Sequence, residues 1–187
     1  MPCINNAGVK IFYRTAGDTN NPVLVMLHGF GNNAQNWYDL GYVKLLEPHY
    51  FLIMIDNRGF GRSDKPTNIY DYELQIIAND ILMVIENEKV RQAHLYGSSY
   101  GSIIALHMAY HHAEYFYSFI LQGTSPYQVS KIYSEVNSII KANQQKGISS
   151  YIQSLEELSC STFPDFIRSA MLQCHLHALY AASAYHW

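Results

Sequence analysis

Residues 93–101 read Ala-His-Leu-Tyr-Gly-Ser-Ser-Tyr-Gly, and this stretch decides the fold. A brief strand, Ala93 to Tyr96, leads straight into the pentapeptide Gly97-Ser98-Ser99-Tyr100-Gly101. Small and apolar residues then predict a buried helix over 102–113. A strand that turns at once into a helix forces its apex residue, here Ser99, into a strained backbone. Bulky neighbours would collide across such a turn, so the glycines at 97 and 101 are expected. This geometry lifts the Ser99 hydroxyl above the sheet and leaves the next backbone N–H, from Tyr100, pointing at whatever lies over that oxygen.

A second glycine-rich turn, His28-Gly29-Phe30-Gly31, lies between a buried strand at 23–27 and a helix predicted over 34–46. In a site built around Ser99, a second N–H donor comes from this place, and Phe30 is the expected donor through its backbone. Two N–H groups aimed at one developing oxyanion stabilise it without reorganisation. The loss of one raises the barrier by roughly 3 kcal/mol.

Strand and helix alternate along the first two thirds of the chain, which predicts an α/β fold with a mostly parallel sheet and helices on both faces. The short apolar runs are typical of strands that are buried on both sides. Ligands bind beyond the carboxyl ends of such strands, where the glycine-rich turns lie. The predicted strands are 8–17 (one or two antiparallel edge strands), 23–27, 51–55, 93–96 and 116–121, and the predicted helices are 34–46, 72–87 and 102–113.

These motifs resemble those of the α/β-hydrolase superfamily. The resemblance covers residues 8 to about 126 and rests on HGFG at 28–31, DNRGFGRSD at 56–64 and GSSYG at 97–101, in that order. It implies a serine hydrolase that acts on an ester, lactone, amide or similar small acyl substrate, with neither a metal nor an organic cofactor. Asp56, Arg58 and Asp64 are expected to be structural rather than catalytic.

The same resemblance assigns the site residues. Ser99 is the expected nucleophile, and the backbone N–H groups of Phe30 and Tyr100 form the expected oxyanion hole. The remaining members shape the two turns: Gly97 and Gly101 in the nucleophile elbow, and His28, Gly29 and Gly31 in the oxyanion turn.

From about Ser130 the pattern changes to three predicted helices, near 131–145, 149–159 and 164–183, with no strand between them. This segment resembles the helical cap that many members of the superfamily insert after the sixth strand. We therefore divide the chain into the N-terminal part of a hydrolase core, 1–128, and a helical cap or lid segment, 129–187.

The sequence departs from the superfamily after Leu121. The expected chain order is Ser, then an acid, then His. No strand-like apolar run follows Leu121, and the segment 122–128 has no carboxylate. The chain stops at Trp187 inside the expected cap, so the C-terminal core strands, the acid and the His are expected to be absent. Removing the base from a triad costs about 10⁶ in turnover, which predicts impaired hydrolysis.

A substitute base is a weak alternative among the nine histidines. His175, His177 and His186 lie in the predicted cap and could swing over the pocket, but nothing would orient the tautomer. The run Cys174 to His177 could also suggest a metal. It lacks a second acidic or cysteine pair, so packed or surface histidines are the preferred interpretation.

Composition excludes several classes of protein. The net charge is −3 and Lys and Arg are scattered, which gives no reason to expect nucleic acid or an anionic membrane. The three cysteines are odd in number and match no metal spacing, which favours a reduced compartment. No signal peptide or membrane span is predicted. We expect a soluble, cytoplasmic protein.

Three functional interpretations stay open. The first is a serine hydrolase, present as part of a longer product or as a truncated form. The second is a non-catalytic module that binds a small ligand or a protein. The third is a segment that needs a complementing chain. Without a seventh strand, the strand at 116–121 becomes an exposed apolar edge, which invites self-association or a complementing chain.

Overall fold

The computed structural model describes residues 2–124 and 130–184. Three consecutive strands open the chain, three further strands alternate with helices, and four helices follow the last strand. The strands are β1 (Cys3–Asn6), β2 (Val9–Ala16), β3 (Val23–Leu27), β4 (Phe51–Ile55), β5 (Ala93–Ser98) and β6 (Phe116–Gln122). The α-helices are α1 (Gln35–Asp39), α2 (Tyr42–Leu46), α3 (Leu74–Asn87), α4 (Tyr100–His111), α5 (Ser130–Asn143), α6 (Ile148–Ser159), α7 (Asp165–Met171) and α8 (Leu176–Ala184). Two short 3-10 helices, Ile69–Tyr72 and Ala113–Tyr115, precede α3 and β6.

The six strands form one sheet in the order β1-β2-β4-β3-β5-β6. β3, β4, β5 and β6 are parallel to one another, whereas at one edge β2 is antiparallel to both β4 and β1. The predicted mostly parallel α/β fold is therefore confirmed. In the register of β3 with β5, Leu27 lies opposite Gly97, so the two glycine-rich turns leave the sheet side by side.

Helices cover both faces of the sheet, because the side chains of each buried strand alternate between two hydrophobic clusters. Val25 and Leu27 of β3 belong to a large cluster that also contains residues of α3 and α4. Leu24 and Met26 point the other way, into a smaller cluster with Trp37 of α1. This alternation explains why the central strands are apolar at every position.

Two of the predicted helices are broken. The helix predicted over 34–46 is two short helices, α1 and α2, because Gly41 between them adopts a left-handed backbone with φ 79°. The helix predicted over 164–183 is also two, α7 and α8. The chain turns after Met171, and the turn lets Met171 and Cys174 both pack against Gly31.

The C-terminal part is helical, as expected, and residues 130–184 contain no strand. α8 packs on α5 and on the 3-10 helix Ile69–Tyr72, and α7 contacts α1. These helices thus lie against the loops that follow the strands of the sheet. The predicted boundary at 128/129 falls outside the described residues, so the division into core and cap stays a prediction.

β6 lies at an edge of the sheet and pairs only with β5 among residues 2–124 and 130–184. Tyr117 is 67% exposed and Ile120 is 50% exposed. The predicted exposed apolar edge is therefore present. None of the described helices is long and apolar enough to cross a membrane.

Candidate active site

Ser99 occupies the sharp turn between β5 and α4. Its backbone has φ 50° and ψ −110°, a conformation that non-glycine residues avoid. A Cβ on Gly97 would lie 2.3 Å from the carbonyl oxygen of Gly101, and a Cβ on Gly101 would lie 2.2 Å from that of Leu27. Both glycines are therefore required by close approach of the backbone. The side chain of Ser99 is exposed, as expected for a residue raised above the sheet.

The turn after β3 runs directly beside Ser99. A Cβ built on Gly29 would lie 3.5 Å from the Cβ of Ser99. Phe30 follows, and its ring packs edge-on against Tyr100, with ring centroids 5.8 Å apart. Tyr100 is the first residue of α4, so its backbone N–H lies at the N-terminus of that helix. The structure brings the predicted residues together; their role in holding an oxyanion stays a prediction.

His28 is a structural part of the oxyanion turn. Its Nδ1–H donates to the carbonyl oxygen of Gly29 at 2.8 Å, and its Nε2 accepts from the Asn57 N–H at 3.1 Å. Burial lowers the pKa of His28 below its ordinary value of 6.5, so the ring is neutral. Because both ring nitrogens are engaged, His28 cannot take a proton from Ser99.

The loop that follows β4 is held by buried hydrogen bonds. Asp56 accepts from the backbone N–H groups of Ala34 at 2.6 Å and Arg62 at 2.8 Å, which ties the loop to the start of α1. Arg58 is buried and pairs with Asp80 of α3 at 2.6 Å. These contacts support the structural role expected for Asp56 and Arg58.

Asp64 closes the same loop on β2. Its Oδ2 accepts from the backbone N–H of Lys10 at 2.8 Å, and its own N–H donates to the carbonyl oxygen of Lys10. These bonds lie between the loop and the sheet, and they likewise support a structural role.

Ser102 and Gln122 fix the elbow, and sequence reasoning missed both. The backbone N–H of Ser99 donates to the carbonyl oxygen of Gln122 at 2.7 Å. The buried Ser102 hydroxyl donates to the carbonyl oxygen of Gly97 at 2.6 Å and accepts from the Gln122 N–H at 3.1 Å. The strained turn is therefore tied to the end of β6. A serine three residues after the apex was the only sequence signal.

The helical segment packs directly on the oxyanion turn. A Cβ on Gly31 would lie 3.3 Å from Met171, and the thiol of Cys174 lies 3.7 Å from the carbonyl oxygen of Gly31. Burial raises the pKa of the Cys174 thiol to about 12, so it is protonated and a poor nucleophile. Cys174 therefore contributes packing rather than chemistry.

His175, His177 and His94 make their contacts with residues other than Ser99. His175 and His177 line a different groove, next to Gly147, and His177 contacts the carbonyl oxygen of Lys65 at 3.3 Å. His94 lies at the start of β5, as predicted, and its Nδ1 is 2.8 Å from the Ser118 hydroxyl. His186 lies outside the described residues. Within the described ranges, no side chain hydrogen-bonds to the Ser99 hydroxyl, and no group of three or more His, Cys, Asp or Glu could hold a metal.

A cleft of about 210 Å³ opens beside the oxyanion turn and Ser98. We call it the Trp37 cleft. It lies between the oxyanion turn, helix α1 and the end of β6, and its walls include Gly29, Asn32, Trp37, Leu40, Ser98 and Gln122.

Comparison with known proteins agrees with this geometry. The family model described as "alpha/beta hydrolase fold" matches residues 22–185. The chain belongs to the alpha/beta hydrolase fold family. The match includes both glycine-rich turns and all four helices of the C-terminal segment, so the suspected superfamily is confirmed.

Relatives of this alpha/beta hydrolase differ in their named activities. Epoxide hydrolase 3 of Xenopus tropicalis is 31% identical over 112 residues, which are 59% of this chain and 30% of that protein. Pimeloyl-[acyl-carrier protein] methyl ester esterase of Vibrio vulnificus (strain YJ016) is 36% identical over 105 residues, which are 56% of this chain and 38% of that protein. These matches span about a third of the length of the curated relatives.

A hydrolase from Pseudomonas aeruginosa PA01 has the same fold. Its crystal structure superposes with a TM-score of 0.85 at 22% identity, and covers 99% of this chain and 71% of that one.

Proposed function

We propose that Ser99 is the nucleophile with which this protein hydrolyses an ester, lactone, amide or similar small acyl compound. The observation that carries the proposal is the backbone of Ser99, with φ 50°, beside the oxyanion turn. Such strain costs about 1–3 kcal/mol and clusters at active sites, where the surrounding structure enforces it. Here Gly97, Gly101 and Ser102 enforce it.

In this reaction the Ser99 oxygen attacks the carbonyl carbon of the substrate while its proton passes to a base. The carbonyl oxygen becomes an oxyanion, which the N–H groups of Phe30 and Tyr100 would hold. Collapse expels the protonated leaving group and leaves an acyl ester on Ser99, and water then hydrolyses that ester. An epoxide opened by serine would leave a stable ether instead, so we favour the acyl chemistry of the esterase relatives.

The proton acceptor is the part that residues 2–124 and 130–184 do not supply. We propose that an acid and a histidine from outside residues 2–124 and 130–184 complete the site and that hydrolysis is weak without them. With no base, hydroxide must help to deprotonate the serine. The rate at Ser99 would then rise about tenfold per pH unit, without a plateau near the histidine pKa of about 6.5.

The test is labelling with a fluorophosphonate probe between pH 6 and pH 10. We expect slow, site-specific labelling that Ser99→Ala abolishes and that Ser98→Ala, the matched neighbour, retains. A rate that grows with pH throughout supports the missing base, whereas a plateau near pH 7 identifies a histidine within the chain. If folded protein is labelled equally in native and Ser99→Ala forms, Ser99 is not the nucleophile. If it takes no label at all, the non-catalytic binding module is favoured.

The edge at β6 favours a second function, association with another polypeptide. The strand Phe116–Gln122 contains no charged residue and no proline. Such residues usually prevent an exposed edge strand from pairing with another chain. We propose that this edge pairs with a second copy or with a complementing segment. Light scattering should show association of the native chain and its loss in Ile120→Lys. Tyr110→Lys, on the surface of α4, is the matched control and should still associate. A monomeric native chain would refute pairing with a second copy.

A further inference from the structure

Three histidines gather at the C-terminal end of α4, and the proposed hydrolysis uses none of them. His107 and His111 are four residues apart, so they lie on the same face of the helix. Their ring centroids are 4.4 Å apart. His107 lies about 10 Å along the helix from Tyr100, the residue that follows the sharp turn at Ser99. The pair is therefore a cluster separate from the candidate active site.

The spacing of the two rings suits a shared metal ion. A histidine nitrogen binds Zn²⁺ at about 2.0–2.1 Å, so two imidazoles in neighbouring positions on one ion have ring centroids about 4.5–5 Å apart. The 4.4 Å between His107 and His111 is close to that range, and small side-chain rotations close the difference. Histidines at positions i and i+4 of a helix are also the arrangement by which helical zinc motifs hold their ion.

Gln75 of α3 offers an oxygen to the same place. The Nε2 of His107 lies 3.3 Å from the Oε1 of Gln75. Because an amide oxygen only accepts, the ring proton of His107 lies on Nε2. Two ligand atoms of one tetrahedral ion are also about 3.3 Å apart, so an ion bound by both atoms would displace that proton to Nδ1. The Nε2 of Gln75 donates to the Oδ1 of Asn79 at 3.2 Å, which keeps the Gln75 oxygen turned toward His107.

The exposure and chemistry of these groups favour a transition-metal ion. Gln75 and His111 are exposed, so an ion can enter from solvent. Burial, and then the neighbouring His111 and His112, lower the pKa of His107 below its ordinary value of 6.5, so its ring is neutral at pH 7, as a metal ligand must be. Imidazole suits Cu²⁺, Ni²⁺ and Zn²⁺, whereas Mg²⁺ and Ca²⁺ prefer sites made of oxygen ligands alone.

We propose that His107, His111 and the side-chain oxygen of Gln75 bind a divalent transition-metal ion, with water in the remaining positions. Helices α3 and α4 pack together over one face of the sheet, so the ion fastens one to the other and stabilises the fold without taking part in chemistry at Ser99. The site contains two histidines and an amide. It is therefore smaller than a cluster of three or more His, Cys, Asp or Glu, of which the described residues contain none that could hold a metal.

The test is calorimetric titration of the whole chain, free of any histidine tag, with NiCl₂ and CuCl₂ near pH 7. We expect one tight site per chain, with Cu²⁺ bound more tightly than Ni²⁺. His107→Ala and His111→Ala should each weaken Ni²⁺ binding about tenfold or more, because even groups that only support a ligand contribute about 10–100-fold to metal affinity. His177→Ala is the matched control and should bind as the native chain does, since His177 and His175 line another groove.

A second variant tests the oxygen ligand. Gln75→Glu adds a negative charge beside the ion, so Ni²⁺ should bind about tenfold more tightly. Ni²⁺ should also raise the urea midpoint of the native chain but not that of His111→Ala, whose exposed position tolerates the change. If the native chain binds no Ni²⁺, the histidines only complement the C-terminus of α4 and the proposal is overturned. Equal affinity of the native chain and His111→Ala, or no gain in Gln75→Glu, would overturn it as well.

Discussion

The strain at Ser99 predicts an inverted order of stability between glycine and alanine substitutions. Ser99→Ala keeps a Cβ, and so keeps the cost of φ 50°. Ser99→Gly removes that cost of about 1–3 kcal/mol. Glycine also lowers the free energy of unfolding by about 0.5–1 kcal/mol, because it gives the unfolded chain more conformational freedom. We therefore expect Ser99→Gly to be more stable than Ser99→Ala by about 0.5–2 kcal/mol.

Ser138, in the middle of α5, provides the matched control because its surroundings are helical and exposed. There glycine should be less stable than alanine by about 1 kcal/mol, the ordinary helix preference. The assay is urea unfolding at 25 °C, with the midpoints compared at unchanged slope. If glycine is also the less stable residue at position 99, by a similar amount, the backbone of Ser99 is not strained and the reasoning is refuted.

Three further predictions concern the surroundings of the elbow. Gly97→Ala places a Cβ 2.3 Å from backbone and should lower the free energy of unfolding by about 3 kcal/mol in urea, whereas an effect below about 1 kcal/mol would contradict the close approach. Ser102→Ala leaves the Gln122 N–H and the Gly97 carbonyl with one fewer partner. We expect the free energy of unfolding in urea to fall by about 1–3 kcal/mol and the labelling of Ser99 to become slower, whereas unchanged labelling would argue against the hydrogen bonds to β6. His28 is neutral in the folded protein, but its pKa is ordinary in the unfolded chain. The unfolded chain therefore binds the extra proton, and the free energy of unfolding falls as the pH drops below 6.5. Urea unfolding between pH 7 and 5 should show a shallower fall of that free energy in His28→Gln, and an identical pH dependence of the two proteins would contradict a buried neutral imidazole.

The positions of the strands along the chain and the position of the sharp turn at Ser99 could be predicted from sequence because both depend on local patterns. Continuous apolar runs identified β3 and β4, and glycine spacing identified the turn at Ser99. The same local reasoning failed where tertiary contacts decide. The residues on both sides of Gly41 keep a helical period, which predicts one continuous helix, whereas the structure breaks the helix at Gly41.

The hydrogen bonds between Ser102 and Gln122 behind the elbow could not be predicted for a different reason. Ser102 and Gln122 are 20 residues apart, and they meet only because β6 lies next to β5 in the sheet. Residues that form hydrogen bonds across the sheet show no periodic pattern in the sequence.

The most direct test of the central claim is a crystal structure of the chain after reaction with a fluorophosphonate. The account predicts phosphorus bonded to the Ser99 oxygen, with the phosphoryl oxygen about 2.7–3.1 Å from the backbone nitrogens of Phe30 and Tyr100. An adduct on another residue would contradict it, as would a phosphoryl oxygen turned away from those two N–H groups.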